Sequence, residues 1–376
     1  MRAGFAFRIS ARDGAARGGC LETPHGTIDT PAFMPVATYG AVRGLAPDEL
    51  RAAGAQILLA NTYHLHERPG EKTVEALGGL HGFTGWNGPW LTDSGGYQIT
   101  SLAKRIEVRE EGVAFRSPLD GRTRLLSPEA AMQIQQALGP DVAMVLDECV
   151  PMRSGASDGE AQARAAAERT LRWAERCFSA HTRPDQALFG IVQGGASEAL
   201  RRESARGTAA IGFDGYAHGG LGLGEERTQR SELVARVHDE LPAASPRYLM
   251  GLGRPVDLLD GIAAGVDLFD CVLPTRHARH GVLFTSQGLL RMRNARFRDD
   301  SAAPDADCDC PLCRGHSRAY LAHLLRSGEA LGARLASLHN LRFYLRLLER
   351  ARTAIAAGQL APLRRELDAA FPESSG

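Results

Sequence analysis

The segment GVDLFDCVLPTRHARHG, residues 265–281, contains the pattern that decides the fold of the whole chain. A short apolar run ends in a polar residue, here Asp270, and a helical pattern follows. The same unit occurs eight times, in TPAFMPVAT, QILLANTYH, PWLTDSGG, VAMVLDEC, ALFGIVQGG, GFDGYAHGGLG, RYLMGLG and GVDLFDC. Eight short apolar runs that alternate with helices predict an α/β fold, a (β/α)8 TIM barrel.

Amphipathic segments between these runs predict the helices. The segment SPEAAMQIQQAL begins with a cap residue, Ser127, followed by Pro128 at the first helical position and Glu129 in the first turn. These three residues are the usual start signal of a helix.

Two stretches depart from a plain barrel. Residues 105–127 alternate like strands around a turn at Leu119, Asp120 and Gly121, which predicts an inserted hairpin. A basic stretch and a group of cysteines follow Asp270. We therefore expect a barrel over residues 1–298, a zinc-binding subdomain over 299–345, and C-terminal helices over 346–376 that pack back on the barrel.

The ends of the apolar runs carry the candidate active-site residues, because barrels of this kind place their chemistry at the carboxyl ends of the strands. These residues are Asn61, Asp93, Asp147, Gln193, the pair Gly219 and Gly220, and Asp270. A single aspartate in such a position is often only a helix cap. Three carboxylates in equivalent positions favour one shared catalytic site.

The charge is balanced overall but not locally. The chain has 44 basic and 44 acidic residues, which argues against a generally basic surface for nucleic acid. Between Cys271 and Arg298, however, there are six arginines and no acidic residue: Arg276, Arg279, Arg291, Arg293, Arg296 and Arg298. Arginine side chains fit phosphate oxygens, so this stretch predicts contact with a phosphate backbone. A solvated loop paired with acids elsewhere is the alternative.

The sequence also predicts the compartment. The first residues lack the apolar core of a secretory signal, and no run approaches the roughly 18–20 apolar residues of a membrane span. We therefore expect a cytoplasmic protein without membrane segments. Clustered cysteines in a cytoplasmic protein indicate metal binding rather than a disulfide.

Cys308, Cys310 and Cys313 form that cluster, and three thiolates at this spacing suit one face of a tetrahedral zinc ion. The fourth ligand is His316 or His339, and the spacing alone does not decide between them. A closed site with three cysteines would be structural rather than catalytic.

The groups at two run ends suit a guanine-like ligand. A carboxylate such as Asp147 accepts hydrogen bonds from the ring N–H and the amino group of guanine, and an amide such as Gln193 donates to its carbonyl oxygen. Nearby glycines in DSGG and VQGG would let a flat ring lie against the backbone.

Taken together, these motifs resemble the bacterial tRNA-guanine transglycosylases, or queuine tRNA-ribosyltransferases, over nearly the whole chain. The matching segments are NTYHL, DSGGYQ, FRSPLDG, MQIQ, LDEC, FGIVQGG, GGLGLGE, FDCVLPTR, and the cysteine cluster with His339 and NLRFYLRL. The resemblance implies a TIM barrel with a zinc-binding subdomain, and it implies His339 as the fourth ligand of one structural Zn²⁺ per subunit.

The resemblance also implies a role for each site residue. It makes Asp270 the nucleophile and Asp93 the general acid/base. Asp147, Gln193, Gly220 and Leu221 would bind the base, and Tyr97 and Met250 would sandwich it. Arg276 and Arg279 would contact tRNA.

The implied reaction replaces the wobble guanine of a U-G-U anticodon loop by a 7-deazaguanine through a covalent ribosyl-enzyme. Leu223 is bulkier than the glycine of eukaryotic relatives and Cys149 is of the bacterial type, which favours 7-aminomethyl-7-deazaguanine over queuine. Unlike most bacterial members, the chain has His277 and His280 in place of asparagines. The resemblance further implies a homodimer.

Other functions remain as alternatives. A queuine-salvaging enzyme would take the larger base, and an archaeosine-type enzyme would be expected to carry additional C-terminal RNA-binding domains. A non-catalytic tRNA-binding subunit would be expected to lack Asp93 and Asp270. A zinc hydrolase barrel would need histidines at the strand ends with an open metal position.

Overall fold

The computed structural model of the protein describes residues 4–102, 106–150 and 159–372. In chain order, the strands are β1 (Ala6–Asp13), β2 (Ala16–Thr23), β3 (Gly26–Thr30), β4 (Ala32–Pro35), β5 (Leu58–Ala60), β6 (Trp90–Thr92), β7 (Ile106–Val108), β8 (Val113–Arg116), β9 (Thr123–Leu126), β10 (Val142–Met144), β11 (Ala187–Val192), β12 (Gly215–His218), β13 (Arg247–Leu249), β14 (Leu268–Cys271), β15 (Val282–Thr285) and β16 (Gly288–Arg291). The α-helices are α1 (Pro47–Ala52), α2 (Thr62–Glu67), α3 (Glu71–Ala76), α4 (Gly79–Thr84), α5 (Gly96–Leu102), α6 (Pro128–Leu138), α7 (Gly159–Ala180), α8 (Glu198–Ile211), α9 (Arg227–Val237), α10 (Pro255–Ala263), α11 (Leu273–Arg279), α12 (Pro311–Gly315), α13 (Arg318–Ser327), α14 (Ala330–Ala356) and α15 (Leu360–Ala370).

Eight strands form one parallel sheet in the order β4, β14, β13, β12, β11, β10, β6, β5. A parallel bridge between Val36 and Leu59 joins the two end strands, so the sheet closes on itself. These strands are the eight apolar runs of the sequence, and the predicted barrel is confirmed. The strands are parallel, so the residues at their carboxyl ends lie around one mouth of the barrel.

Helix α6 begins where the sequence predicts. The Ser127 hydroxyl accepts a hydrogen bond from the backbone N–H of Ala130 at 3.1 Å, which satisfies one of the free amides of the first turn. Pro128 occupies the start of the helix, where its missing N–H has no cost. The helix ends at Gly139, whose φ of 69° lies in the left-handed region that favours glycine.

The amino-terminal end of the barrel is covered by an antiparallel sheet of β1, β2 and β3. Arg17 of β2 forms a fully buried ion pair with Asp267, the residue directly before β14, and its Nε lies 3.1 Å from Asp267 Oδ1. The Phe5 ring packs edge-on against Phe189 of β11. Removing one partner of a buried ion pair is strongly destabilising, so this end of the barrel is built for stability.

The insertion between β6 and α6 is a three-stranded antiparallel sheet rather than the predicted hairpin. Strands β8 and β9 are connected through the expected turn, and β7 adds a third strand by pairing Ile106 with Phe115. Strand β7 has only three residues, none of them buried, so it lacks the alternation that marks a strand in sequence. Arg105, the first residue of the predicted hairpin, lies outside the described residues.

The C-terminal region has a hydrophobic cluster of its own, separate from the barrel core. It combines residues of α13 and α14, such as Leu325 and Ala336, with Leu283 and Met292, which lie in the hairpin β15–β16 and just after it. The hairpin belongs to the stretch that the sequence placed with the barrel. Helix α14 runs through the expected boundary at residue 345, and its Tyr344 ring contacts Phe33 of β4. One helix therefore connects this cluster to the barrel.

No helix in the described part of the chain combines the length and the apolar character that a membrane crossing requires.

Candidate active site and metal centre

A cavity of 440 Å³ opens at the carboxyl ends of the barrel strands. Nine of the residues singled out in the sequence line it: Asn61, Asp93, Tyr97, Asp147, Gly219, Gly220, Leu221, Met250 and Asp270. They follow different strands and are far apart in the sequence. The closed barrel brings them to one site, as the strand-end pattern predicts.

Asp270, the third residue of β14, presents one carboxylate oxygen to this cavity. Its Oδ1 accepts hydrogen bonds from the Tyr248 hydroxyl at 2.6 Å and from the backbone N–H of Gly251 at 2.7 Å. Its Oδ2 accepts none from the described residues. Burial raises the pKa of Asp270, and the two hydrogen bonds oppose that rise. The carboxylate is held in a fixed orientation with one oxygen available.

Asp93, directly after β6, is surrounded by donors. Its Oδ1 accepts from the backbone N–H groups of Thr62 at 2.9 Å and Gly95 at 3.2 Å. Its Oδ2 accepts from the side-chain amides of Asn61 and Gln98, the latter at 2.8 Å. These contacts fix the carboxylate but leave it fully buried among protein groups.

The environment of Asp93 tunes its proton affinity. Burial raises the pKa of Asp93 to about 6, since desolvation disfavours the charged form more than the Asn61 and Thr62 hydrogen bonds favour it. The negative charge of Asp270 raises it further. A carboxyl with a pKa near neutrality can both donate and accept a proton at physiological pH.

Asp147 follows β10 and is the third buried carboxylate of the cavity. Its Oδ2 accepts a hydrogen bond from Gln193 Nε2 at 2.7 Å, and its Oδ1 accepts from the Ser94 hydroxyl at 3.4 Å. Burial raises the pKa of Asp147 to about 6, and the hydrogen bonds of Gln193 and Ser94 oppose that rise. This carboxyl therefore lies ready to pair with donor groups of a ligand.

Gln193, predicted to contact a base directly, lies behind Asp147 and does not line the cavity. The backbone of Gly219 and Gly220 packs so tightly against its amide that a Cβ at either glycine would come within 2.5 Å or 2.4 Å of it. In this conformation the Gln193 side chain orients Asp147 instead of facing the ligand space.

Tyr97 in α5 and Met250 directly after β13 both line the cavity. The Tyr97 side chain is about half exposed, so it lies at the rim. Cys149 and Leu223 also line the cavity. Burial raises the pKa of Cys149 to about 12, so this residue is a neutral thiol and not a nucleophile.

Two of the arginines after Asp270 lie on a helix that begins directly after the cavity residue Val272. Arg276 and Arg279 lie on α11, which begins two residues after β14, and both of them and the four later arginines lack an ion pair with the described residues. Burial and the positive charges of Arg43 and Arg276 lower the pKa of Arg279. The structure therefore does not support pairing of this stretch with acids elsewhere.

The cysteine cluster is completed by His339. The ligand atoms of Cys308, Cys310, Cys313 and His339 all lie within 4.8 Å of one another, and these four residues could hold a metal ion. His339 Nδ1 is 3.5 Å from Cys310 Sγ and 3.3 Å from Cys313 Sγ. A tetrahedral zinc ion, with bonds of about 2.3 Å to sulfur and 2.0–2.1 Å to nitrogen, requires a separation of roughly 3.5 Å, so the donor set fits zinc.

The second nitrogen of His339 fixes the ring. Its Nε2 donates to the carbonyl oxygen of Phe284 at 2.8 Å, which leaves Nδ1 free to face the three sulfur atoms. His316, the alternative ligand, stacks on Tyr320 instead and is not part of the group. The fold resolves the choice that cysteine spacing left open.

Several residues of the site were not identified from the sequence. Tyr248 binds Asp270, Gln98 binds Asp93, and His64 lines the cavity. Tyr248 is two residues before Met250, and because side chains alternate along a strand, the pattern could have placed both on the same side. Arg201, which lies behind Gly219 and Gly220, has no comparable signal.

Comparisons with known proteins identify the family of the chain. A family model described as queuine tRNA-ribosyltransferase matches residues 13–373. A protein named queuine tRNA-ribosyltransferase from Nitrosomonas europaea is 53% identical over 96% of both chains. Proteins of the same name from Nitrosomonas eutropha and Thioalkalivibrio sulfidiphilus are 52% and 51% identical over 94% of this chain, and the matches cover 97% and 94% of their own lengths. The chain belongs to the queuine tRNA-ribosyltransferase family.

Proposed function

We propose that the protein is a tRNA-guanine transglycosylase of queuosine biosynthesis, which exchanges the wobble guanine of tRNAs with a U-G-U anticodon loop for a 7-deazaguanine. The observation that carries this proposal is the pair of buried carboxylates, Asp270 with an available oxygen and Asp93 with a pKa of about 6, at one cavity of 440 Å³. Family membership supports the same reaction.

In the first step, the target nucleotide leaves the stack and its base enters the cavity, because the reacting atoms are not reachable in a stacked base. Asp270 Oδ2 attacks C1′ of the ribose, and the glycosidic bond breaks. Asp93 in its protonated form delivers a proton to the departing guanine. The product is a ribosyl ester of Asp270, formed with inversion at C1′.

In the second step, a 7-deazaguanine occupies the emptied cavity. Its ring nitrogen attacks C1′ while Asp93, now ionised, accepts the proton from that nitrogen. The bond to Asp270 breaks, and the carboxylate is regenerated. Two inversions give net retention, as in retaining glycosidases that divide the nucleophile and acid/base roles between two carboxyl groups.

Base recognition in this proposal uses cavity residues other than the two catalytic carboxylates. Asp147 accepts from the ring N–H and the amino group of the purine, and the backbone N–H of Gly220 and the neighbouring Leu221 peptide face its carbonyl edge. Tyr97 and Met250 cover the two faces of the ring. Gln193 holds Asp147 through the 2.7 Å hydrogen bond, and it reaches the base only if this bond opens.

The incoming base is 7-aminomethyl-7-deazaguanine in this proposal. Leu223 lines the cavity, and its side chain reduces the room that a cyclopentenediol substituent would need. A small aminomethyl group needs less of this space. The queuine-salvaging alternative would place its larger substituent beside Leu223.

Exchange of radiolabelled guanine into unmodified tRNA tests the proposal directly. We expect the protein to label tRNAs that contain a U-G-U anticodon loop and to leave a tRNA with the loop guanine changed to adenine unlabelled. Addition of 7-aminomethyl-7-deazaguanine should displace the label. Absence of labelling with the correct tRNA would exclude the transglycosylase reaction.

Arg276 and Arg279 provide a quantitative prediction for tRNA binding. Alanine at either position should weaken binding about 3- to 10-fold and lower the slope of log affinity against log salt by about 0.7–0.9 per lost phosphate contact. Affinity is measured by filter binding between low and moderate salt. Arg206→Ala is the control, because this exposed arginine of α8 pairs with Glu240. An unchanged salt slope in both variants would contradict the assignment.

The Cys3His group would hold one structural zinc ion, which ties the segment 308–313 to α14. When bound, the ion supplies cross-linking of the fold, since four protein ligands leave no open position for catalysis. Cys308, Cys310, Cys313 and His339 hold it. The barrel residues carry out the reaction.

His339→Ala should therefore release the metal and destabilise the C-terminal region. We expect the zinc content to fall from one ion per chain to nearly none, and the melting temperature to fall by roughly 10 °C. Zinc is measured by mass spectrometry and unfolding by circular dichroism. His316→Ala is the matched control and should retain the metal. Loss of zinc from the His316 variant, with zinc retained by the His339 variant, would show that His316 is the fourth ligand.

A homodimer in the cytoplasm completes the proposal, since family resemblance implies the dimer and the tRNA substrate is found in that compartment. Size-exclusion chromatography with light scattering measures the assembly directly.

A further inference from the structure

Helix α8 carries a buried arginine that forms no close ion pair with a carboxylate among the described residues, although the negative charge of Glu225 favours its charged form. The Arg201 side chain is 0% exposed, and burial lowers its pKa to about 10, so it remains charged at neutral pH. Buried charges are normally paired or fully hydrogen-bonded, because desolvation is costly. The groups that Arg201 binds are therefore informative about its role.

These groups are backbone carbonyls of two loops at the cavity. Arg201 Nε donates to the carbonyl oxygen of Gly195 at 2.6 Å, in the loop after β11. Its Nη2 donates to the carbonyls of Gly219 at 3.0 Å and Gly220 at 3.4 Å, in the loop after β12. Ser204, one turn further along α8, accepts from the Gln193 N–H at 3.2 Å. One face of α8 thus holds both loops.

The carbonyl contacts determine where the neighbouring N–H groups point. In a planar trans peptide, the C=O and N–H groups point in opposite directions. Because the Gly219 and Gly220 carbonyls face Arg201, the N–H groups of Gly220 and Leu221 point away from it. Gly220 and Leu221 line the cavity, and the Gly220 amide hydrogen-bonds the sulfur of Cys149, which lines it too.

The rest of the loop has little freedom to change this orientation. Gly220 has a φ of 66°, and a Cβ there would lie 2.4 Å from the Gln193 amide oxygen. Further along, the Glu225 carboxylate accepts from the N–H groups of Gly222 and Leu223, the latter at 3.2 Å. Arg201 holds the carbonyl side of the loop, and Glu225 holds the N–H side beyond it.

We propose that Arg201 is a positioning residue for base recognition, which fixes the peptides of Gly219 and Gly220 so that the following N–H groups donate to the carbonyl oxygen of the bound purine. A cation on the carbonyl side also polarises these peptides and strengthens their N–H groups as donors. This inference rests on the proposed function, because it assumes a purine with a carbonyl group in the cavity.

The test compares two purines in the native protein and in Arg201→Met. Guanine has the carbonyl oxygen, whereas 2-aminopurine lacks it. We expect guanine to bind about 10- to 100-fold more weakly to the variant, and 2-aminopurine to change by less than about 3-fold. Dissociation constants are measured by isothermal titration calorimetry. The preference for guanine over 2-aminopurine is the readout that a merely structural role would not move.

Two further variants make the outcome decisive. Arg201→Lys retains the charge and should recover part of the guanine affinity, and it provides the comparison if the methionine variant does not fold. Arg202→Met is the matched control, since this neighbouring arginine pairs with Glu240 on the outside of α8, and it should bind both purines as the native protein does.

Equal weakening of both purines in the Arg201 variants would overturn the inference, because it would show only a general distortion of the cavity. The result is separable from the proposed function. If the native protein does not exchange guanine into tRNA, the function fails, whereas native exchange with an unchanged purine preference in the variants refutes only the role of Arg201.

Discussion

Replacement of Asp270 by asparagine is expected to abolish base exchange, with a fall in rate on the order of 10³ or more. The amide has the shape of the carboxylate, and its oxygen can still accept from the Tyr248 hydroxyl and the Gly251 N–H. Only the available oxygen is replaced, by an NH₂ group that cannot form an ester with C1′. The variant should therefore fold and bind tRNA like the native protein while lacking the nucleophile.

The covalent intermediate gives a second measurement of the same prediction. Native protein incubated with tRNA and quenched in denaturant should show an adduct that migrates as protein plus tRNA, and Asp270→Asn should show none. Asp48→Asn serves as the control, because this exposed aspartate of α1 is remote from the cavity lining. Exchange by the Asp270 variant at the native rate would refute the double displacement.

The barrel was predictable from the sequence because each of its strands leaves a strong local signal. A buried strand such as β11 is an unbroken apolar run, and the polar residue that follows marks the mouth of the barrel. The closed parallel topology then brings all of these ends together. Asp93, Asp147 and Asp270 could therefore be assigned to one cavity without any knowledge of distances.

Other features depend on side-chain orientation, which leaves no periodic signal. Gln193 ends its strand like the other site residues, but the close approach of the Gly219 and Gly220 backbone holds its amide behind Asp147. Arg201 lies in a helix with two other arginines, the half-buried Arg202 and the exposed Arg206, and the sequence does not distinguish it from them. Strand β7 is too short and too exposed to be distinguished from a loop.

The zinc ligands show the same limit at longer range. Three cysteines within six residues form a local motif, and their assignment needs no fold. His316 and His339 were equally possible by spacing, because a ligand 26 positions after Cys313 depends on how α14 packs. The Phe284 carbonyl, which orients His339, belongs to the β15–β16 hairpin, more than 50 positions earlier in the chain.

Asparagine at position 93 should lower the exchange rate by about 10²–10⁴, the usual contribution of a general acid/base. The substitution is compatible with the surrounding donors. The backbone N–H groups of Thr62 and Gly95 bind Oδ1, which an asparagine oxygen replaces directly. The donors to Oδ2 are the side-chain amides of Asn61 and Gln98, which can rotate to present their oxygens to the new NH₂ group.

This variant should not lose stability at neutral pH. The pKa of Asp93 is raised to about 6 in the folded protein from the ordinary 3.8 of an aspartate, so the folded state favours the protonated form. Protonated Asp93 stabilises the folded state at a pH below its unfolded pKa. This stabilisation is lost as the pH rises from the unfolded pKa to the folded pKa of about 6. At pH 7 an uncharged asparagine avoids that loss, and the melting temperature should equal or exceed that of the native protein.

The pH dependence separates a proton-transfer role of Asp93 from a purely structural one. With saturating tRNA and base, the native rate should fall on both sides of about pH 6. The acid limb arises because protonated Asp93 cannot accept the ring proton of the incoming base, and the alkaline limb arises because ionised Asp93 cannot protonate the departing guanine. In Asp93→Asn the residual rate should lack the acid limb that the titration of Asp93 produces. Because the carboxyl groups of Asp93 and Asp270 interact, the apparent pKa of the native acid limb belongs to the pair and not to one residue. An Asp93→Asn enzyme that retains the native rate, or the same limb near pH 6, would show that the proton goes elsewhere.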